Sequence, residues 1–315
     1  AGIKVLMLSQ PNVGYKCVIS SESRKFDSTK KLDDIKNNGR SFEEMQNWLH
    51  SFSGYEQLKT LSNKFASSRY AKFKAAMNFL TSDNSNAKTH YTYYGRTKPR
   101  VIIHEMKSSL NKRSRQQFMN KNFLTELNYD EKFVYFPLAV DEERNLLIGA
   151  PYYTNQLENI RHIVKSLPID YKLYVKETPS QVTRNWRPIS EYKEMMSVPN
   201  VRFLHPSVVP SEIYKKTSLV ITIAGSASLE AAFYKKPSIV FAEHAYSILP
   251  SVYTIESLDE LPKAIRISLN KKVNEEDLDR YISLFDEHSF EFDQHGFHTR
   301  EHDYFFFGGH LIDVD

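Results

Sequence analysis

The chain has 315 residues, 41% apolar and 25% charged, a soluble globular mix long enough for two domains. Its formal charge of +4 is too balanced to argue for nucleic acid, and its single cysteine, Cys17, suits a reducing cytoplasm. No apolar run approaches the ~20 residues that cross a bilayer, and the opening Ile3 to Leu8 run is strand-like rather than a basic signal segment.

Residues 3–9 and 15–20 read as two strands joined by a turn containing Pro11, Asn12 and Gly14. A long helical stretch follows, about 41–82, with Leu58, Leu61, Phe65, Tyr70, Phe73 and Met77 at helical spacing. Residues 83–99 are polar and turn-rich, and a second helical region covers about 101–127. Basic residues concentrate in this region at Lys107, Lys112, Arg113, Arg115 and Lys121. One reading is a solvated helix face; the other is a docking strip, Lys112, Arg113 and Arg115 above all, for an acidic glycan acceptor or an anionic membrane surface. With no aromatic ladder between the charges, single-stranded nucleic acid is not the expected partner.

From 132 onward strand and helix signals alternate. β-type runs occur at 133–138, 172–175, 201–204, 219–223 and 238–241, with helical patterns near 154–167, 188–197, 211–216, 227–235 and 257–270. Strands separated by crossover helices pair in parallel, and the wholly apolar 219–223 run suits a strand buried on both faces. The expectation is an α/β fold whose doubly wound, parallel-sheet domain spans 131–272 and takes its ligands beyond the carboxyl ends of the strands. Residues 1–130 hold two strands, too few for a matching lobe, and the first residue is not Met. They read as a partial, helix-rich N-terminal lobe on the acceptor side, truncated or with its first strands replaced. Residues 273–315 read as a helical and aromatic tail. It holds His288, His295, His298, His302 and His310 near Asp293, Asp303, Asp313 and Asp315, but its glycines break any steady helix, so a packed tail is preferred to a metal site.

The strongest local signal runs from Thr222 to Ala232. A buried strand ends, Gly225 permits a tight turn, and a helix of small residues begins. Helix N-termini welcome phosphate, and the Ser226 and Ser228 hydroxyls add donors. With Ser226 as N-cap, Glu230 falls one place too late for a capping box, which leaves its carboxylate to accept from ribose hydroxyls. The alternative is an ordinary capped core helix. A second strand end carries Lys176-Glu177-Thr178-Pro179, where Lys176 either faces a phosphate or pairs with Glu177. A third carries Leu204-His205-Pro206-Ser207, whose His205 and Pro206 either read a nucleotide base or are structural.

These residues resemble a family. Phe136-Pro137-Leu138, the tract from Ala150 to Glu158, Lys165-Ser166-Leu167-Pro168, the tract from Tyr171 to Glu177, Pro199-Asn200-Val201 and the Gly225 to Pro237 segment recur in the order found in capsule polysaccharide biosynthesis proteins, which include Kdo-transferase-like GT-B glycosyltransferases. The resemblance is good over 130–270; Gly2 to Ser20 is similar to the last strands of the family's N-terminal lobe. It implies a GT-B-like, cytoplasmic transferase, at the inner face of the membrane when it docks there. Such an enzyme moves a sugar from a nucleotide-activated donor, often a CMP-linked acid sugar, to a polysaccharide or lipid-linked glycan, without cofactor or metal. By position Gly225, Ser226 and Glu230 hold phosphate and ribose, and Lys176 faces the donor charge. Two family histidines are replaced, by Thr178 and Ala139; threonine keeps one hydrogen bond to offer a phosphate but does not gain or lose a proton near neutrality. Glu143 matches a family glutamate and is the candidate base for the acceptor hydroxyl, though it reads equally well as a surface acid. A nucleotide-sugar epimerase of similar fold, and a degenerate subunit that binds glycan or nucleotide without turnover, are the competing functions.

Overall fold

The computed structural model describes residues 5–9, 16–22, 25–28, 30–50, 69–81, 97–141, 144–178, 181 and 187–292. Its centre is a six-stranded parallel sheet built from β3 (Lys132–Pro137), β4 (Tyr171–Lys176), β5 (Val201–Leu204), β6 (Leu219–Thr222), β7 (Ser238–Val240) and β8 (Val252–Thr254), in the order β5-β4-β3-β6-β7-β8. Every pairing is parallel, with Pro137 opposite Lys176 and Lys176 opposite Leu204. The chain winds outward from β3 to one edge, returns, and winds from β6 to the other. This is the doubly wound arrangement expected from the alternation.

Side chains alternate between two covered faces, as the period of a strand requires. Val134, Phe136, Leu173, Val175, Phe203, Ile221 and Ile239 join one core, with Ile160, Ile163, Tyr192, Met195, Ala264 and Ile265 from α5 (Gln156–Ser166), α6 (Ile189–Ser197) and α9 (Leu261–Leu269). Phe133, Tyr135, Tyr174 and Val220 face the other way onto Ile213 and Tyr214 of α7 (Pro210–Lys216) and Ala227 and Ala231 of α8 (Ala227–Ala232). The small side chains of α8 let it lie close on β6 and β7. It stops after six residues, and Lys235, at φ 58°, then turns the chain toward β7.

In the N-terminal part, β1 (Met7–Ser9) and β2 (Lys16–Ser20) pair antiparallel, with Met7 opposite Ser20. Of the long helical stretch expected over 41–82, α1 (Phe42–His50) and α2 (Arg69–Thr81) are helical; 51–68, with Leu58, Leu61 and Phe65, lie outside the described residues. The next helix is α3 (Lys98–Asn122), and a single turn, α4 (Arg144–Leu147), follows β3. The C-terminal residues turn back on the N-terminal ones. α10 (Glu275–His288) packs Leu278, Tyr281 and Ile282 with Leu32 and Met45, and β9 (Ser289–Glu291) pairs antiparallel with β2. Asp279 accepts from the backbone N–H of Asn38 and Gly39 and from Arg40, tying the two ends of the chain together. The histidines and aspartates from 293 onward lie outside the described residues. No helix among the described residues is long and apolar enough to cross a membrane.

Candidate functional site

The strand order reverses between β3 and β6, and the carboxyl ends beside such a reversal are where doubly wound sheets take their ligands. Ala139, Lys176, His205 and Gly225 all follow strand ends on this edge.

Lys176 is a buried cation at this edge. As the last residue of β4, between β3 and β5, it is only 2% exposed. No described group accepts a hydrogen bond from its ammonium. Burial lowers its pKa to about 8, opposed by the attraction of Glu230. Glu177, the other partner open to it in the sequence, lies just past the strand and is engaged elsewhere. Its carboxylate accepts from Arg187 Nε at 3.0 Å, from the Tyr192 hydroxyl at 2.7 Å and from the Thr178 backbone N–H at 3.0 Å. Burial pushes the Glu177 carboxyl up, against the pull of Arg187.

Glu230, at the far end of the attraction, is held on both oxygens. Tyr214 donates to Oε2 at 3.0 Å and Ser226 to Oε1 at 2.9 Å. The carboxylate is therefore not free, as the capping argument has it, but each oxygen keeps a lone pair for a further donor. Burial and this carboxylate raise the Tyr214 and Tyr135 phenols, so both stay protonated. Ser226 makes no side-chain capping bond; its hydroxyl serves Glu230. Gly225 is needed for closeness rather than for a left-handed turn. A Cβ there would meet Thr222 Oγ1 at 2.9 Å, the atom that accepts from its own N–H at 3.2 Å. On its other side the Gly225 carbonyl accepts from the Tyr246 hydroxyl at 2.6 Å.

Two expected phosphate donors are committed elsewhere. Ser228 is fully buried and shares a 2.5 Å hydrogen bond with Ser238, joining α8 to β7 inside the core. As position two of α8 it turns inward, which the run of small residues did not reveal. The Thr178 hydroxyl donates its one proton to the Leu138 carbonyl. His205 accepts at Nδ1 from the Ser207 backbone N–H at 3.2 Å, which leaves Nε2 to donate to Asn120 Oδ1 at 3.0 Å. Burial and Lys176 lower its pKa, so it is a neutral ring at this edge, followed by the half-buried Pro206. Lys112 and Arg113 are exposed and Arg115 half-buried on α3. Glu143 lies outside the described residues.

Sequence reasoning passed over the groups that fix this edge. Arg187 is buried and binds Glu177, Asp141 at 2.5 Å, Glu191 at 3.2 Å and the Ala139 carbonyl at 2.7 Å. Gln156, at the start of α5, holds both polar groups of Ala139, accepting at 2.7 Å and donating at 2.9 Å, and donates to Asp141 at 2.6 Å. Asp141, half-buried, is thus a counter-charge to Arg187. Arg187 carries no recognisable motif; Gln156 sits inside the tract from Ala150 to Glu158 that carries the family resemblance. Among the described residues no three His, Cys, Asp or Glu side chains are grouped to hold a metal ion.

The sequence profile of one family, described as capsule polysaccharide biosynthesis protein, matches residues 45–250. No curated protein matches the chain. Similar solved structures include the beta Kdo 2,7 transferase KpsC of Thermosulfurimonas dismutans, 16% identical over 50% of this chain and 46% of that one, with a TM-score of 0.36. The UDP-GlcNAc 2-epimerase of Methanocaldococcus jannaschii is 17% identical over 55% and 49%, with a TM-score of 0.35. The beta Kdo 2,4 transferase KpsC of Thermosulfurimonas dismutans is 10% identical over 88% and 70%, with a TM-score of 0.41. The chain spans about half the length of the first two. The profile covers well over half of the 315 residues and takes in every strand end of the candidate edge except that of β8, so the chain belongs to the capsule polysaccharide biosynthesis protein family.

Proposed function

We propose that the carboxyl edge of the sheet seats a nucleotide-activated sugar and that the protein transfers this sugar to a growing glycan. The observation that carries the reading is Lys176, a buried cation at a ligand edge with no hydrogen-bonding partner among the described residues. Burying an unpaired ammonium is costly, and a donor phosphate is the counter-charge that would offset it. Membership of a capsule-synthesis family supports a sugar nucleotide, with a CMP-linked acid sugar as the donor to try first.

In the reaction, the acceptor hydroxyl oxygen bonds to the anomeric carbon as that carbon's bond to the phosphate oxygen breaks. The nucleotide leaves with the electron pair, and the hydroxyl proton passes to a base, for which Glu143 is our candidate. Lys176 meets the charge that develops on the departing phosphate, the task that a metal ion performs in other enzymes. Glu230, held by Ser226 and Tyr214, accepts from ribose hydroxyls. Donor binding accordingly needs no divalent ion, and transfer should survive EDTA.

A donor-binding subunit without turnover is the second reading. It is favoured by Ala139 and Thr178, which put no titratable group beside the donor; the Thr178 proton is already given to Leu138. Incubating the protein with cytidine- and uridine-linked sugars and a glycan acceptor separates these readings by product. An elongated glycan supports transfer. An isomerised sugar nucleotide identifies an epimerase, and binding without product identifies the subunit.

A further inference from the structure

The connection from β3 to α5 holds an aromatic ring that the fold presents to solvent. Residues 145–157 carry no charge, in a chain that is 25% charged. Within them Pro151–Tyr153 forms one tight turn, and Tyr152 at its centre is 93% exposed, beside Ile148 at 71%. A single exposed aromatic residue is ordinary on a protein surface. Here the turn beneath the ring is firmly held, and it is held at the candidate edge.

The carbonyl of Ala150, itself buried in the core, accepts from the Tyr153 backbone N–H at 3.0 Å. The Tyr153 carbonyl accepts from the buried Asn159 amide at 2.7 Å, and the Pro151 carbonyl from the Thr154 hydroxyl at 3.2 Å. The Tyr153 ring packs on Phe241, the first residue past β7, with centroids 5.0 Å apart. Three residues on, Gln156 binds both backbone groups of Ala139, just past the end of β3. The turn is thereby fixed across the carboxyl ends of β3 and β7, with its middle ring in solvent. A backbone ordered in advance loses less entropy when a partner settles on that ring.

An uncharged surface with a flat aromatic face suits a partner that has an apolar face and no net charge. A pyranose ring has such a face, its C–H side, with hydroxyls around the rim left to water. Of the two saccharides in the proposed reaction, position selects the acceptor. The donor groups Lys176, Gly225, Ser226 and Glu230 lie at the ends of β4 and β6 and on α8. Tyr152 instead shares the β3–α5 connection with Glu143, nine residues earlier, the candidate base for the acceptor hydroxyl. We propose that Tyr152 is the platform on which an uncharged sugar ring of the acceptor glycan stacks. Assigning that ring to the acceptor rests on the proposed transfer; the stacking itself does not.

Calorimetric titration of the full chain with chitohexaose and cellohexaose, both uncharged, and with an oligogalacturonate of equal length, with and without CMP, tests the proposal. A neutral oligosaccharide should bind more tightly than the galacturonate. Covering one ring face removes on the order of 60 Å² of apolar surface from water, so Tyr152→Ala should weaken that binding about tenfold. Tyr152→Phe keeps the ring and should bind like the parent. Tyr152→Trp should bind at least as tightly, with its fluorescence moving to the blue as the sugar covers it. None of the three should move the melting temperature of the empty protein or its affinity for CMP. Binding of neither neutral oligosaccharide, tighter binding of the galacturonate, an alanine variant that binds like the parent, or a phenylalanine variant as weak as alanine would overturn it. So would a parent dimer that Tyr152→Ala splits in sedimentation velocity, because a second copy would then be what covers the ring. If CMP does not bind while Tyr152→Ala still weakens the neutral sugar, the donor reading fails and the stacking site stands.

Discussion

Lys176→Met should make the empty protein more stable while removing its ligand. The native state lowers the Lys176 pKa from 10.5 to about 8, which means that folding favours the neutral amine. Each pKa unit corresponds to about 1.4 kcal/mol, so keeping the charged form in the fold costs about 3 kcal/mol. The cost is present in full below about pH 8 and fades as pH rises toward the unfolded value of 10.5. Methionine has a similar volume and no charge. At pH 7 the variant should gain about 3 kcal/mol, roughly 4–6 °C in melting temperature for a chain of this size. The gap should narrow progressively between pH 8 and 10. Parallel melts of parent and variant across that range, with and without nucleotide, read both effects, since ligand at a hundred times its Kd adds about 2.7 kcal/mol to the parent. A variant that melts lower than the parent at pH 7 would refute the reasoning; Lys176 would then be a structural partner of Glu230.

Glu230→Ala should weaken nucleotide binding about 10- to 150-fold, the worth of a charged hydrogen bond, in calorimetric titrations. It should also lower the melting temperature of the empty protein, because it strands the buried Tyr214 hydroxyl at a cost of about 1–3 kcal/mol. Gly225→Ala should destabilise by about 1–3 kcal/mol through the clash with Thr222 Oγ1, and Thr222→Ala should relieve most of that loss, which a double-mutant cycle in urea would measure. Arg187→Met should cost about 3–5 kcal/mol by leaving Glu177 buried and unpaired, whereas adding Glu177→Gln should recover much of it. Additive losses in that pair would contradict the network.

What the sequence made legible is what depends on period and order. The parallel sheet follows from apolar runs such as 219–223 alternating with helical spacing, and strand ends such as Lys176 and Gly225 fall where such runs stop. What it hid depends on which way a side chain turns after a strand ends. Ser226 and Ser228 look alike in sequence, yet one faces Glu230 and the other faces Ser238 inside the core. Glu177 reads as one possible partner of Lys176, but it lies past the strand end and meets Arg187 instead. Arg187 itself comes from a stretch without periodicity, so its four partners become visible only once β3, β4 and α6 are assembled. The strand pairing of β9 with β2 joins residues over 270 apart in the chain, a separation that no local pattern reports.

Nucleotide affinity as a function of pH, measured by calorimetry in EDTA for the parent and for Lys176→Met, tests the central claim most directly. A phosphate seated on the Lys176 ammonium requires the charged form, and with a free-state pKa of about 8 the parent should lose affinity about tenfold between pH 7 and 9. The variant should bind weakly at both pH values, with no slope between them. A parent whose affinity is flat across that range, or a variant that binds as tightly as the parent, would place the nucleotide elsewhere.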